Sequence, residues 1–227
     1  MCSAPSHLDL RNIEFEDFVT FLFDHPITEA DPDSQICSPR WDIDFPYTIL
    51  FDPERHAQHY IRLFSHPAFL IERFTDAQLD AGFGELTYRY GFEGNVSEII
   101  WTKELGLDQR EAVIRSMYFL FADLFAVRPL WSASFMWWDE LAYCFHPDLL
   151  RDDWHPDNGF IREVMFSVLR DILDIPSEEC RQAALHGLNH LRHPDTEAYV
   201  EAFLNSRSDL SPKLMKYARR CMTLDVE

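Results

Sequence analysis

Three histidines near the end of the chain have the residue type and spacing best suited to chemistry. His186, His190 and His193 follow one another at intervals of four and three residues. On an α-helix they lie within roughly 60° of one another, on the face opposite Ala184 and Leu188. Because two histidines one helical turn apart can share a zinc ion, the three residues form a candidate metal-binding stripe.

The same stripe has a structural interpretation. A face of this kind also suits solvent or a polar contact between helices, with His193 marking the end of the helix. The hydrolytic zinc motif H-E-x-x-H requires a glutamate at the position that Gly187 occupies, so that chemistry is excluded. We therefore expect a protein without a cofactor and keep metal binding, or a small metalloenzyme, as the alternative hypothesis.

A second charged pattern lies in the last predicted helix. Lys213, Lys216 and Arg220 share one helical face, opposite Leu214 and Tyr217. In an acidic chain, cations in this arrangement most simply neutralise neighbouring helices. Binding of an anionic partner is the alternative, so the three residues are candidate interaction residues.

The charge of the chain restricts its partners. The formal net charge is −19 and the isoelectric point is near 4.8. A field of this sign repels phosphate backbones and anionic membrane surfaces, so we expect no binding to nucleic acid or membranes. It favours a protein partner, and an acidic inhibitor of a basic toxin or nuclease is a further alternative.

Composition and cysteine usage indicate a folded, reduced protein. Hydrophobic residues make up 47% of the chain and aromatic residues 15%, which is far above the aromatic content of disordered segments. The 5 cysteines are widely spaced and form no C-x-x-C pair. We find neither a secretion signal nor a run of about 18 apolar residues, and therefore predict a cytoplasmic location.

Helical periodicity dominates the rest of the sequence. Asp52 and Pro53 form a typical helix start, with a capping carboxylate before a proline. Segments 41–45 and 86–92 alternate polar and apolar residues, which predicts either two short strands that pair as a minor β hairpin or two extended loops. Residues 26–48 are predicted to form a long irregular connection. Further helices are predicted over 14–24, 117–127, 131–145, 160–173, 177–192, 196–205 and 211–222.

The segment that carries the histidines also resembles a known repeat. The resemblance rests on Arg181, Ala183, Ala184, Leu185, Leu188, Leu191, Pro194, Val200 and Leu204. These positions are similar to the HEAT-like repeat, in the short version found in bilin-lyase-type proteins. The resemblance implies two helices folded back on each other, in a stack of hairpins that presents a surface to a partner. Gly187 and the alanine pair would let these helices approach closely.

The spacing of His-Pro pairs fits such repeats. Because proline disfavours helical geometry in the preceding residue, these pairs mark helix ends. The pairs at His25, His66, His146 and His193 are 41, 80 and 47 residues apart, and HEAT and armadillo repeats span about 40–47 residues. Deoxyhypusine hydroxylases, a HEAT-like family, bind two irons through His-Glu dipeptides, and this chain has no such dipeptide.

Together these patterns predict a mostly α, multi-helical protein that forms a HEAT/armadillo-like stack of helical hairpins. We expect a single domain over residues 1–227, with an irregular N-terminal half and HEAT-like helices over 177–222. The leading functional hypothesis is a non-catalytic protein–protein interaction or regulatory module.

Overall fold

The periodic segments of the sequence fold into helices. A computed structural model describes residues 7–28, 38–42, 48–88, 91–142 and 157–222, and within them it contains eleven α-helices. The prediction of a mostly α, multi-helical fold is confirmed. The helices are α1 Phe15–Phe23, α2 Pro53–Ser65, α3 Leu70–Arg73, α4 Asp76–Thr87, α5 Val96–Trp101, α6 Leu107–Leu120, α7 Trp131–Ala142, α8 Asn158–Leu173, α9 Glu178–Leu191, α10 Thr196–Ser206 and α11 Pro212–Met222.

Capping side chains fix where several helices begin. The Asp52 carboxylate accepts a hydrogen bond from the backbone N–H of Arg55 at 2.8 Å, so the predicted start of α2 is confirmed. Ser177 caps α9 in the same way through the N–H of Cys180. These bonds satisfy backbone donors that have no partner within the helix. His66 directly follows α2, in agreement with the prediction that His-Pro pairs mark helix ends.

In the part of the chain that the structure describes, four short strands form two small sheets. Strands β1 His7–Asp9 and β4 Thr48–Leu50 pair in parallel, and β2 Ile27–Thr28 pairs antiparallel with β3 Arg40–Trp41. Two of these strands lie in the described ends of the predicted irregular connection 26–48. Its remaining residues lie outside the described part of the chain. Helices α1–α5 lie in the described part of the chain before residue 107.

The predicted strand at 86–92 is wrong. Leu86 and Thr87 are the last residues of α4, and Trp41 pairs with Ile27 rather than with this segment. The helix begins at a capping box in which the side chain and backbone of Thr75 bond to those of Gln78. Leu79, Phe83 and Leu86 then recur at helical spacing toward the core, and this outweighs a short alternation of residue types. Residues 43–47 and 89–90 of the two predicted strands lie outside the described residues.

The core is centred on the helices α6 to α9. The predicted helix 117–127 corresponds to the end of α6 and to a π-helical segment, Phe121–Phe125, that continues it. Trp137 and Trp138 of α7 are fully buried, whereas Trp131 at its start is 57% exposed. The helix predicted over 131–145 is thus confirmed to residue 142, and residues 143–145 lie outside the described range.

Helix α9 lies at the centre of the C-terminal region. It packs on α7, α8 and α11, whereas α10 packs mainly on α11. The three helices predicted over 177–192, 196–205 and 211–222 are confirmed to within one residue at each end. Among the described residues, no helix has both the length and the apolar character needed to cross a membrane.

Candidate metal centre between helices α7, α9 and α11

A glycine in α9 brings this helix close to α7. A Cβ atom at Gly187 would lie 2.5 Å from Cβ of Trp138 and 2.8 Å from Cδ2 of Leu169. Carbon atoms in ordinary contact are about 3.5–4.0 Å apart, so only glycine permits this packing. The sequence predicts that Gly187 brings α9 close to the helix over 196–204, but its nearest neighbours belong to α7 and α8 instead. As a consequence, Asp139, the residue after Trp138, lies beside the histidines of α9.

Three side chains from these two helices converge. One donor atom from each of Asp139, His186 and His190 lies within 4.8 Å of the other two. The Asp139 carboxylate oxygen Oδ1 is 3.1 Å from Nδ1 of His190. The His186 and His190 rings are 4.5 Å apart between centroids, in an edge-on arrangement. We call these three residues the Asp139 cluster.

His186 is the most enclosed member of the Asp139 cluster, with 5% of its surface exposed. Its ring stacks on Phe135 at a centroid distance of 4.1 Å, and its Nδ1 is 3.1 Å from the Tyr217 hydroxyl of α11. Its other nitrogen, Nε2, is buried without a hydrogen-bond partner. Burial, reinforced by neighbouring His190, lowers the pKa of His186 to about 4. The imidazole is therefore neutral at physiological pH.

His193 does not join the other two histidines. Arg192 adopts a left-handed backbone conformation with φ of 51°, which ends α9 and turns the chain away. The His193 ring stacks on Phe166 at 3.9 Å, and its Nε2 is 2.8 Å from the Glu163 carboxylate. The three histidines expected on one face are therefore not all together: His186 and His190 share a face of α9, and His193 does not. The helix ends at Leu191, so the rotation of 100° per residue does not extend to position 193.

The face opposite the histidines is buried at Ala184, Leu188 and Leu191. On the histidine face, His186 is buried as well, whereas His190 is partly exposed. Helix α9 is enclosed on most sides because α7, α8 and α11 all pack on it. Of the two structural interpretations, a contact between helices therefore describes His186, while His190 stays partly exposed to solvent.

The predicted basic residues of α11 line a groove. Exposed Lys213, Lys216 and Arg220 surround a cavity of about 200 Å³ together with Gln182 and Tyr217. Within the described residues, neither lysine forms a salt bridge with a carboxylate. The hypothesis that these cations neutralise neighbouring helices therefore has no support from the two lysines. Tyr217, expected on the opposite face, lines the same groove.

Sequence reasoning missed Asp139 and Tyr217. Asp139 is one of two acidic residues in an otherwise apolar and aromatic helix, which is a signal that part of this helix meets polar groups. The sequence does not show which helix supplies those polar groups, because that depends on how the helices pack. Tyr217 carried no signal, since a tyrosine beside Leu214 and Ala218 is typical of an ordinary core face.

The cluster has the donor set of a transition-metal site. Imidazole nitrogens and carboxylate oxygens bind zinc and iron, and the imidazole must be neutral to do so. Two nitrogens and one oxygen would leave at least one coordination position for water or another ligand. Tyr217, hydrogen bonded to the far nitrogen of His186, would fix the orientation of that ring.

Comparison with known proteins identifies no relative. No protein-family model matches the chain, and neither the curated proteins nor the solved structures include a significant match. The resemblance of residues 181–204 to the HEAT-like repeat therefore stays a prediction from sequence.

Proposed function

We propose that this protein binds a divalent transition-metal ion, zinc by preference, through His186, His190 and Asp139. In this proposal His186 binds through Nε2 and keeps its proton on Nδ1, which donates to the Tyr217 hydroxyl oxygen. His190 and Asp139 exchange their mutual contact for bonds to the metal. Three protein ligands and one open position are typical of zinc sites that act on a bound molecule.

The observation that carries the proposal is the buried nitrogen Nε2 of His186, which has no hydrogen-bond partner. A buried polar atom without a partner costs about 1–3 kcal/mol, so such atoms are rare in folded proteins. A metal ion bound between the two imidazoles would satisfy it. The net charge of −19 further favours the approach of a cation.

The side chains need only small movements to close around the ion. Bonds of about 2.0–2.2 Å in a tetrahedron place donor atoms about 3.3–3.6 Å apart. The donors of the Asp139 cluster lie within 4.8 Å of one another. Rotations about the side-chain bonds of Asp139 and His190, both partly exposed, can supply the difference.

The test is metal analysis and calorimetry on protein without a histidine tag. We expect close to one equivalent of zinc or iron in protein purified without chelator. After chelator treatment, zinc titration should give a single site whose affinity falls at least about 100-fold in His190→Gln and Asp139→Asn. Loss of a ligand removes a metal bond, whereas neither residue is needed to fill the core.

His193→Gln is the matched control. His193 lies three residues beyond His190, is also buried and also contacts a carboxylate, but it stands apart from the Asp139 cluster. Its replacement should leave zinc affinity unchanged within about threefold, well under 1 kcal/mol. Equal loss in His193→Gln and His190→Gln, or no zinc binding by the parent protein, would refute the proposal.

The proposal assigns no reaction to the protein. A non-catalytic role through a protein partner stays the prediction from sequence, and a metal site is compatible with it. We also propose a cytoplasmic location. Cys180 and Cys221 are buried and form no disulfide, which is typical of proteins in a reducing compartment.

A further inference from the structure

Helix α11 differs from the rest of the molecule in charge. It carries Lys213, Lys216, Arg219 and Arg220 and has no acidic residue between Pro212 and Met222. Removing these four cations from the net charge of −19 leaves −23 for the remainder of the chain. A helix of this kind is therefore a positive region on a strongly negative molecule.

Three of the four cations surround a groove. Lys213, Lys216 and Arg220 line it together with Leu214, Tyr217 and, from α9, Gln182, and Arg219 does not. We call it the basic groove. Lysine ammonium, arginine guanidinium, glutamine amide and tyrosine hydroxyl groups can all donate hydrogen bonds, so the groove presents donors to a ligand rich in oxygen.

We infer that the basic groove binds a phosphate monoester group. A cavity of about 200 Å³ is smaller than the usual pocket for a drug-sized molecule, about 300–1,000 Å³, and suits one small charged group. A phosphate monoester carries close to two negative charges at neutral pH and three acceptor oxygens, which matches several cations better than a carboxylate does.

The groove and the Asp139 cluster share one residue. Tyr217 lines the groove and lies within hydrogen-bond distance of His186. Phosphate binding stands on the groove alone and does not depend on the proposed metal function.

The test is calorimetric titration of metal-free protein at low salt with O-phosphoserine. We expect a dissociation constant below about 1 mM and no heat from serine. The variant Lys213→Gln/Lys216→Gln should raise the dissociation constant at least about tenfold, because both ammonium groups are lost. Since both side chains are exposed, circular dichroism should show an unchanged fold.

Arg219→Gln and Arg220→Gln form the matched pair. Both substitutions remove one exposed cation from the same helix, but only Arg220 lines the groove. We expect a clear loss of affinity in Arg220→Gln and a change below about threefold in Arg219→Gln. Equal losses in the two would show an effect of net charge and overturn the proposal, as would absence of binding at millimolar phosphoserine.

A phosphoserine peptide flanked by glycines distinguishes the sources of the phosphate group. Equal affinity for peptide and amino acid supports a small phosphorylated molecule as the ligand. Tighter binding of the peptide supports a phosphorylated protein segment. All phosphate titrations use metal-free protein, so the two proposals are tested separately. Absence of phosphate binding would not contradict the metal site, and absence of zinc binding would not contradict phosphate binding in the basic groove.

Discussion

Two buried histidines, His56 in α2 and His186 in α9, have equally lowered pKa values but different neighbouring side chains. Burial lowers the pKa of both to about 4. The His56 ring lies among the aromatic rings of Phe18, Phe51 and Tyr60, with both of its nitrogens buried and without hydrogen-bond partners. His186 has His190, Asp139 and Tyr217 beside it.

The difference shows what a site requires beyond burial. A neutral imidazole is needed to bind a metal, and both positions supply one. Among the described residues, only His186 of these two histidines has donor atoms of a second imidazole and of a carboxylate converging with its own within 4.8 Å. The missing side chain of Gly187 permits this, because it lets α7 approach. His56 therefore serves packing, and His186 has the surroundings of a ligand.

The largest expected difference between the two histidines is their effect on stabilisation by zinc. At a zinc concentration of 100 times the dissociation constant, binding to the folded state adds about 2.7 kcal/mol to the free energy of unfolding. We expect this increase in the parent protein and in His56→Met, and none in His186→Gln. Urea unfolding with and without zinc measures it. An equal increase in His186→Gln would place the metal elsewhere.

Acid should destabilise the protein through His56 as well as through His186, since burial lowers both pKa values to about 4. Because the pKa of His56 is about 4 in the folded protein and 6.5 in the unfolded chain, only the unfolded chain gains this proton as the pH falls below 6.5. Its neighbours His59 and Arg55 add to the lowering, and Asp52 opposes it. Stability is therefore retained above pH 6.5 and is lost toward pH 4.

We expect this histidine to account for about 2 kcal/mol of the stability lost between pH 7.5 and pH 5. His56→Met keeps a side chain of similar volume and does not titrate. Urea unfolding of both proteins at the two pH values isolates the difference, since all other groups are shared. A loss as large in His56→Met as in the parent protein would contradict this account.

The approach of the two helices can be tested with a pair of glycines. Gly187→Ala places a Cβ 2.5 Å from that of Trp138, whereas a Cβ at Gly84 in α4 meets no atom within 4 Å. We expect Gly187→Ala to lower the free energy of unfolding by about 1–2 kcal/mol and to weaken zinc binding. Gly84→Ala should be neutral or stabilising by up to about 1 kcal/mol, since alanine favours helices. Destabilisation of similar size in both variants would argue against close packing at Gly187.

The helices could be predicted because their signals are local. Capping at Asp52, periodic apolar positions and the His-Pro pair at His66 all act within a few residues. The strand predicted at 86–92 failed because a short alternation of polar and apolar residues also fits the end of a helix. The partners of β1 and β3 lie far away in sequence, where local patterns carry no information.

The candidate site was predicted only in part, for a similar reason. Spacing along one helix identified His186 and His190, and the shared face of Lys213 and Lys216 was visible in the same way. Asp139 comes from a different helix, more than 40 residues earlier in the chain. Its place beside the histidines depends on the packing of α7 on α9, which no spacing within α9 could show.

Arg192, the left-handed residue at the end of α9, determines how many ligands this helix can supply to the proposed metal site. If Arg192 were right-handed, the helix would continue, and the 193 side chain would project one turn beyond the 190 side chain on the same face. Pro194 opposes that continuation, because the residue before a proline disfavours helical geometry. One backbone turn thus limits α9 to two histidine ligands, and any third protein ligand must come from another helix, as Asp139 does.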